Sequence, residues 1–450
     1  MRVKSFTRNL IAISVALIFF APAVGAQQNQ AGQQKISSFD RDLAREMLRA
    51  ISSDVKKHYY DAQFHGLDWD ANVRAAEQKI DASSSLNRAL SELAAALDTL
   101  NDSHTFFLPP SRPYKHDYGW EIQMVGDRCF VMQVRPKSDG ESKGMRRGDE
   151  VHLINGYQPN RENLWKMNYV FNVLRPQAGL HVELLPPDGS EKKIDVMAAM
   201  QEMKKVKDLT ASGGGQDIWE LIRELESSEH LGRARWVELG DDIEILKIPG
   251  FFFSDTEIED MIKKANKHKC LIVDLRGDPG GSVDTLKWFL GGVFDKEVKI
   301  GDRVTRDGSK PMLAKSRGNS AFAGKLVVLV DSRSASASEL FARVIQLEKR
   351  GTVLGDKSAG AVMESKRYSY KNGLDTVIFY GASITDANII MTDGKSLEHV
   401  GVIPDELLIP TGSDLANNRD PVLARAVEIC GSKMTPEGAG RLFPFEWPSQ

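Results

Sequence analysis

Cysteine is scarce in this sequence. There are three in 450 residues, Cys129, Cys270 and Cys430. So few exclude a scaffold built from disulfides, and an odd set leaves at least one thiol unpaired within the chain. Cys129 and Cys270 lie in or beside apolar strand-like runs, which reads as buried free thiols. Metal-ligating patterns are also missing: no C-x-x-C, no H-E-x-x-H and no EF-hand loop. No metal or cofactor is therefore expected. Charge of one sign is absent as well, with 59 Lys+Arg against 62 Asp+Glu. That balance speaks against a basic nucleic-acid surface, and the short Lys/Arg runs lack interleaved aromatics. Beyond residue 26 no stretch approaches the roughly 18 apolar residues of a membrane span. What remains is an ordinary globular composition, 41% hydrophobic and 27% charged. At roughly 100–200 residues per domain, the length suggests two to four domains.

The N-terminus reads as a delivery label. Arg2, Lys4 and Arg8 precede an apolar run from Leu10 to Phe20, and APAVGA follows, ending at Ala26. Basic flank, short apolar run and small residues are the parts of a secretory signal peptide. Cleavage after Ala26 would move the formal charge from −3 to −6. It would leave no stable membrane anchor, and the expected destination is periplasmic or secreted.

Residues 27–37 are polar and read as a flexible tail. Residues 38–110 form a helical region, with Leu43, Met47, Leu48 and Ile51, then Leu86, Leu90, Leu93 and Leu97, at helical spacing before Pro109 and Pro110. Residues 115–198 carry short β-type runs separated by turn residues, with one helical stretch at 162–174. Residues 199–235, with Gly213–Gly215, read as a linker. Residues 236–430 alternate strand and helix, the pattern of an α/β layer structure. In it CLIVDL and KLVVLV are apolar throughout, as expected of strands covered on both faces. Residues 431–450 are left as a C-terminal tail.

Four segments can carry chemistry. In KLVVLVDSRSASASE a buried strand runs into a Ser/Ala turn and a helix. This layout can present the Ser336 hydroxyl at a helix N-terminus, with the Ala337 N–H beside it. The same residues, Ser336-x-x-Glu339, also spell a capping box, which needs no catalysis. In IVDLRGDPGG, Gly280 and Gly281 let the backbone approach a ligand; the segment matches neither common phosphate loop. Asp102-Ser103-His104-Thr105 puts a His on a loop, where it can serve as a general base. Glu398 and His399 lie in EHVGVIPDE, where a carboxylate could orient a distant imidazole.

Taken in order, DLRGDPGG, SASASE and EHVGVIPD resemble the S41 family of serine peptidases, the C-terminal processing or tail-specific proteases. The resemblance implies a multi-domain α/β protein: an N-terminal helical region, a PDZ domain at 115–198 and an α/β peptidase core related to the ClpP/crotonase fold. YGWEIQ followed by GMRRGDEVHLING resembles a PDZ domain, in which Tyr118, Gly119, Trp120 and Glu121 would form the loop that captures a peptide C-terminus. The processing branch carries a catalytic Lys 25 residues after its Ser. From Ser336 that count arrives at Ala361, with Lys357 four residues out of register. The tricorn-type branch instead uses a Ser-His pair, a later Ser and a Glu. That likeness implies Ser336 as nucleophile, His104 as base, and Glu398 orienting it directly or through Ser103. Gly280 or Gly281, with Ala337, would supply the oxyanion hole. His399 is the rival base, awkwardly placed beside Glu398.

The expected function is an exported serine endopeptidase acting on unfolded or C-terminally presented polypeptides. The alternative is a catalytically inactive S41-like protein that binds a peptide or other ligand. Oligomeric state is open.

Overall fold

The computed structural model of the protein describes residues 36–202, 233–373 and 377–447. The expected signal segment, most of the polar tail and the centre of the expected linker lie outside these residues. The fold is mixed α/β, as the alternation of patterns implies.

Helices Ser38–His58, Trp69–Asp81 and Leu86–Asp98 form the N-terminal region. Ser37, Asp68 and Ser85 cap them by accepting backbone N–H groups. Their apolar stripes close a core around Met47, Leu48, Ile51, Leu93 and Leu97. Ile36, assigned to the tail from composition, is buried in the same core. This core continues onto an antiparallel sheet through Phe107, Ala382 and Ile384. In that sheet Phe106–Leu108 pairs with Ile378–Met391, which also pairs with Val298–Thr305 and Met363–Asn372.

Residues 120–197 build a five-stranded antiparallel sheet, with Trp120–Val125 as one edge strand. The helical stretch Leu164–Tyr169 continues through Leu174 in a wider π turn. Tyr114–Asp117 pairs with Ala199–Glu202, so the first residues assigned to the linker are a strand.

The third part is a six-stranded sheet. Its order is Glu406–Leu407, Thr352–Gly355, Lys325–Val330, Cys270–Asp274, Ile243–Lys247 and Arg235–Leu239, and only the last strand runs antiparallel. The central strands are buried on both faces. Leu271 and Val273 meet helices Asp255–Ala265, Val283–Val293 and Ala337–Leu347. Ile272 and Cys270 meet helix Pro421–Ile429 on the other side. Short helix Pro436–Ala439 packs there too, so part of the expected C-terminal tail belongs to the core.

The cysteine expectation is corrected. Cys270 is bonded to Cys430 across 160 residues, and only Cys129 is a free, buried thiol. Cys270 faces the helix that ends at Cys430, so the pairing follows from layer packing rather than from spacing.

Candidate active site

Three neighbouring parallel strands converge here. The segments after Cys270–Asp274, Lys325–Val330 and Thr352–Gly355 leave the same edge of the sheet, the place where open α/β sheets build their sites. They supply Gly280 and Gly281, Ser336, and Ala361.

Ser336 sits at the turn into helix Ala337–Leu347 with φ 54° and ψ −116°. A β-carbon at positive φ costs about 1–3 kcal/mol and persists only when its surroundings enforce it. They do so here. The Ser336 N–H donates to the Ala361 carbonyl at 2.9 Å and to Glu339 Oε2 at 3.1 Å. Glu339 thus makes its half of a capping box by accepting the Ser336 N–H. The hydroxyl stays at a partly exposed turn, the geometry of a nucleophile elbow.

Gly280 lies against this turn. A β-carbon at Gly280 would stand 2.7 Å from Ser336 Cβ and 2.9 Å from the Ala337 nitrogen, and its φ is +96°. Its own N–H is committed to Asp278 Oδ1 at 2.7 Å. The Gly281 and Ala337 N–H groups donate no hydrogen bond among the described residues. Of the two glycines the sequence left open, Gly281 is therefore the one with a donor to spare.

His104 is buried at 3% exposure. Its Nδ1 lies 2.7 Å from Ser103 Oγ. Ser103 is held by both oxygens of Glu398: its N–H donates to Oε1 at 2.7 Å and its Oγ to Oε2 at 3.0 Å. Glu398 Oε2 also accepts the Val362 N–H at 2.8 Å. Since Ala361 accepts from Ser336, the chain Ser336–Ala361–Val362–Glu398–Ser103–His104 is continuous. Glu398 meets His104 through Ser103. The Ser103 hydroxyl has one proton, directed at the carboxylate, so its contact with Nδ1 uses an imidazole N–H. Nε2 is then the basic nitrogen.

His399 Nε2 lies 2.8 Å from the Asn101 carbonyl and 3.7 Å from Glu398 Oε1, and its ring is more than half exposed. Ala361, which the 25-residue count from Ser336 reaches, has only a methyl side chain.

Two residues escaped sequence reasoning. Asp102 is buried and its Oδ1 accepts the N–H groups of His104 and Thr105 and the Thr385 hydroxyl, which pins the His104 loop to the long strand. Asp-x-His-Thr hinted at such a turn, but the partner Thr385 is 283 residues away. Glu339, which the sequence marks only as a helix cap, has no exposure.

Of the expected peptide-capture loop, Tyr118 is buried with its hydroxyl on the Gln177 carbonyl at 2.8 Å. Gly119 adopts φ 69°, and its N–H meets Asp117 Oδ1 at 2.8 Å. Trp120 is half-buried and pairs with Val134 at the start of the edge strand. Glu121 is ion-paired to Arg333, three residues before Ser336, at 2.9 Å.

The Peptidase family S41 pattern matches residues 242–408. Over these residues the chain matches the S41 peptidase family. The matched stretch contains Gly280, Gly281, Ser336, Ala361 and Glu398; Ser103 and His104 come from outside it. The chain is similar to the tail-specific protease of Haemophilus influenzae, 24% identical over 331 residues, which span 68% of this chain and 43% of that protein. It is similar to the chloroplastic carboxyl-terminal-processing peptidase 3 of Arabidopsis thaliana, 23% identical over 88% of this chain and 74% of that one. In fold it is similar to mature CPAF, with a TM-score of 0.62 and 17% identity over 84% of this chain and 95% of that structure. The chain thus spans less than half the length of the first of these relatives. Those with printed activities are peptidases, which supports a serine-type hydrolase.

Proposed function

We propose that this protein is an exported serine endopeptidase of the C-terminal processing type. The observation that carries the proposal is that the Ser336 turn is tied, through its N–H and the Ala361–Val362 backbone, to the hydrogen-bonded set Glu398, Ser103 and His104. Ser336 Oγ attacks the scissile carbonyl and His104 Nε2 takes its proton. The oxyanion is received by the N–H groups of Gly281 and Ala337. His104 then gives the proton to the leaving amine, and water hydrolyses the acyl-enzyme by the reverse relay. Glu398 stabilises the imidazolium through Ser103, the role that the absent Lys would make unnecessary.

The substrates are unfolded or C-terminally presented polypeptides. The two sequence relatives named above are a tail-specific protease and a carboxyl-terminal-processing peptidase. The PDZ-like module gives a route for capture, by strand addition along Trp120–Val125 with the loop Tyr118–Glu121 at its start. Export is supported by the basic and apolar N-terminus and by the Cys270–Cys430 bond, which needs an oxidising compartment.

The test is labelling with a serine-reactive fluorophosphonate together with cleavage of an unfolded casein-like substrate. Both should vanish in Ser336→Ala. Cleavage that survives this change would overturn the proposal. Binding of C-terminal peptides without any labelling would favour a non-catalytic binding protein instead.

A further inference from the structure

A second carboxylate lies under the nucleophile turn, and the scheme above makes no use of it. Glu339 stands in the first turn of helix Ala337–Leu347 with no solvent exposure. Its Oε1 accepts the Ser358 hydroxyl at 2.6 Å and the Gly360 N–H at 2.7 Å. Its Oε2 accepts the Ala361 N–H at 2.9 Å and the Ser336 N–H at 3.1 Å. A helix cap would need only the last of these. The other three come from the segment after Thr352–Gly355, whose next residue, Val362, donates to Glu398. Ser358 Oγ also accepts the Val402 N–H at 2.6 Å, which ties in the loop that carries Glu398.

We propose that Glu339 is a positioning residue for Ser336. As a carboxylate it clamps residues 358–361 against the nucleophile turn and fixes the spacing between Ser336 and the Glu398–Ser103–His104 relay. The proposal rests on the reading of Ser336 as nucleophile. Four donors converge on one group, so a proton or an amide NH2 placed there meets a donor head-on. The same four bonds offset the strain of a β-carbon at positive φ. Burial pushes the Glu339 carboxyl up to about 7, against the opposing pull of Ser358, Ala361, Gly360 and Ser336. The other ionisable groups around the turn are Asp278 on the glycine loop, Asp356 and Lys357 ahead of Ser358, and His104 and Glu398. The ionised form presents an acceptor to each of the four donors, so labelling is fastest above that value.

The experiment compares the full chain with Glu339→Gln and Glu339→Asp, by amide hydrogen exchange and by the pH profile of Ser336 labelling. In folded Glu339→Gln, exchange at Gly360 and Ala361 should quicken by about tenfold or more, the loss of one good hydrogen bond. The strand Cys270–Asp274 should be unaffected. Labelling above neutral pH should slow by a similar factor, and one inflection should leave the acid side of the profile. Glu339→Asp, which keeps the charge, should keep that inflection. Unchanged exchange at Gly360 and Ala361, or an unchanged labelling profile, would overturn the proposal. If Glu339→Gln does not fold, Glu339→Asp decides: its shorter side chain cannot reach all four donors, so exchange at Gly360 and Ala361 should quicken while the strand Cys270–Asp274 is unaffected, and unchanged exchange at both amides would overturn the clamp. A wild-type chain that never labels sinks the nucleophile reading, while the exchange readout still judges the clamp.

Discussion

Glu398 grips Ser103 with both carboxylate oxygens, taking its N–H at 2.7 Å and its hydroxyl at 3.0 Å. The two residues are 295 apart in sequence. In the proposed mechanism Ser103 links Glu398 to His104, so its removal should resemble the removal of Glu398. Ser103→Ala and Glu398→Gln should each lower kcat by about 10- to 100-fold with little change in KM, and the double variant should be no worse than the poorer single one. His104→Ala should lose more, on the order of 10³-fold or beyond. Steady-state cleavage of an unfolded peptide checks this; additive losses in the double variant would break the relay.

Gly280 touches the nucleophile turn so closely that no side chain fits. Its β-carbon would stand 2.7 Å from the Ala335 carbonyl oxygen and from Ser336 Cβ, at φ +96°. Gly280→Ala should therefore abolish Ser336 labelling and destabilise the fold by about 1–3 kcal/mol. Gly308→Ala, also at positive φ but with open space around it, should lose stability only and keep labelling. Denaturant titration and labelling on both variants separate the two effects.

The Cys270–Cys430 bond closes a loop of 160 residues. Chain-entropy arguments put the benefit of so long a loop on the order of 4–5 kcal/mol. Cys430→Ser should lower the unfolding midpoint in guanidinium markedly under oxidising conditions. Reductant should lower wild type to the level of the variant, and Cys129→Ser should leave the redox dependence intact.

Glu244 supplies a pH dependence with a definite sign. It is 1% exposed in the strand Ile243–Lys247, and burial raises its carboxyl to about 7, with Lys264 and Lys267 pulling down and Glu238 pushing up. The folded state then binds a proton that the unfolded state has already released near pH 4–5. This contribution is full below the unfolded value and is lost as pH rises through the folded one. Glu339 has the same sign and window. Glu244→Gln should flatten the fall in stability between about pH 5 and 7, measured by thermal unfolding across that range; an unchanged slope would refute the assignment.

Much of the fold was legible in local pattern. CLIVDL and KLVVLV are apolar at every position because strands covered on both faces have no polar side, and both are central strands. The helices Asp255–Ala265, Val283–Val293, Ala337–Leu347 and Pro421–Ile429 fall in the stretch 236–430 that reads as alternating strand and helix. The strand Ile378–Met391 is harder to read locally. Its middle, GASITDA, is polar yet buried, because Ser383, Thr385 and Asp386 find partners in Ser365, Thr105 and Arg303. Polar residues satisfied by distant partners erase the periodicity that a local reading depends on.

The sequence by itself determined which residue types were available: a serine at a strand-to-helix turn, a histidine beside a serine, a late glutamate, and an alanine where a lysine would stand. It determined too that two cysteines at most could pair. Only the tertiary structure decided which ones did, because Cys270 and Cys430 meet through the packing of a helix on a sheet. Only it decided that Glu398 hydrogen-bonds Ser103 with both oxygens while His399 bonds the Asn101 carbonyl, and that the Gly280 N–H is already spent on Asp278. Hydrogen bonds reach about 3 Å, and sequence spacing carries no information at that scale between residues hundreds of positions apart.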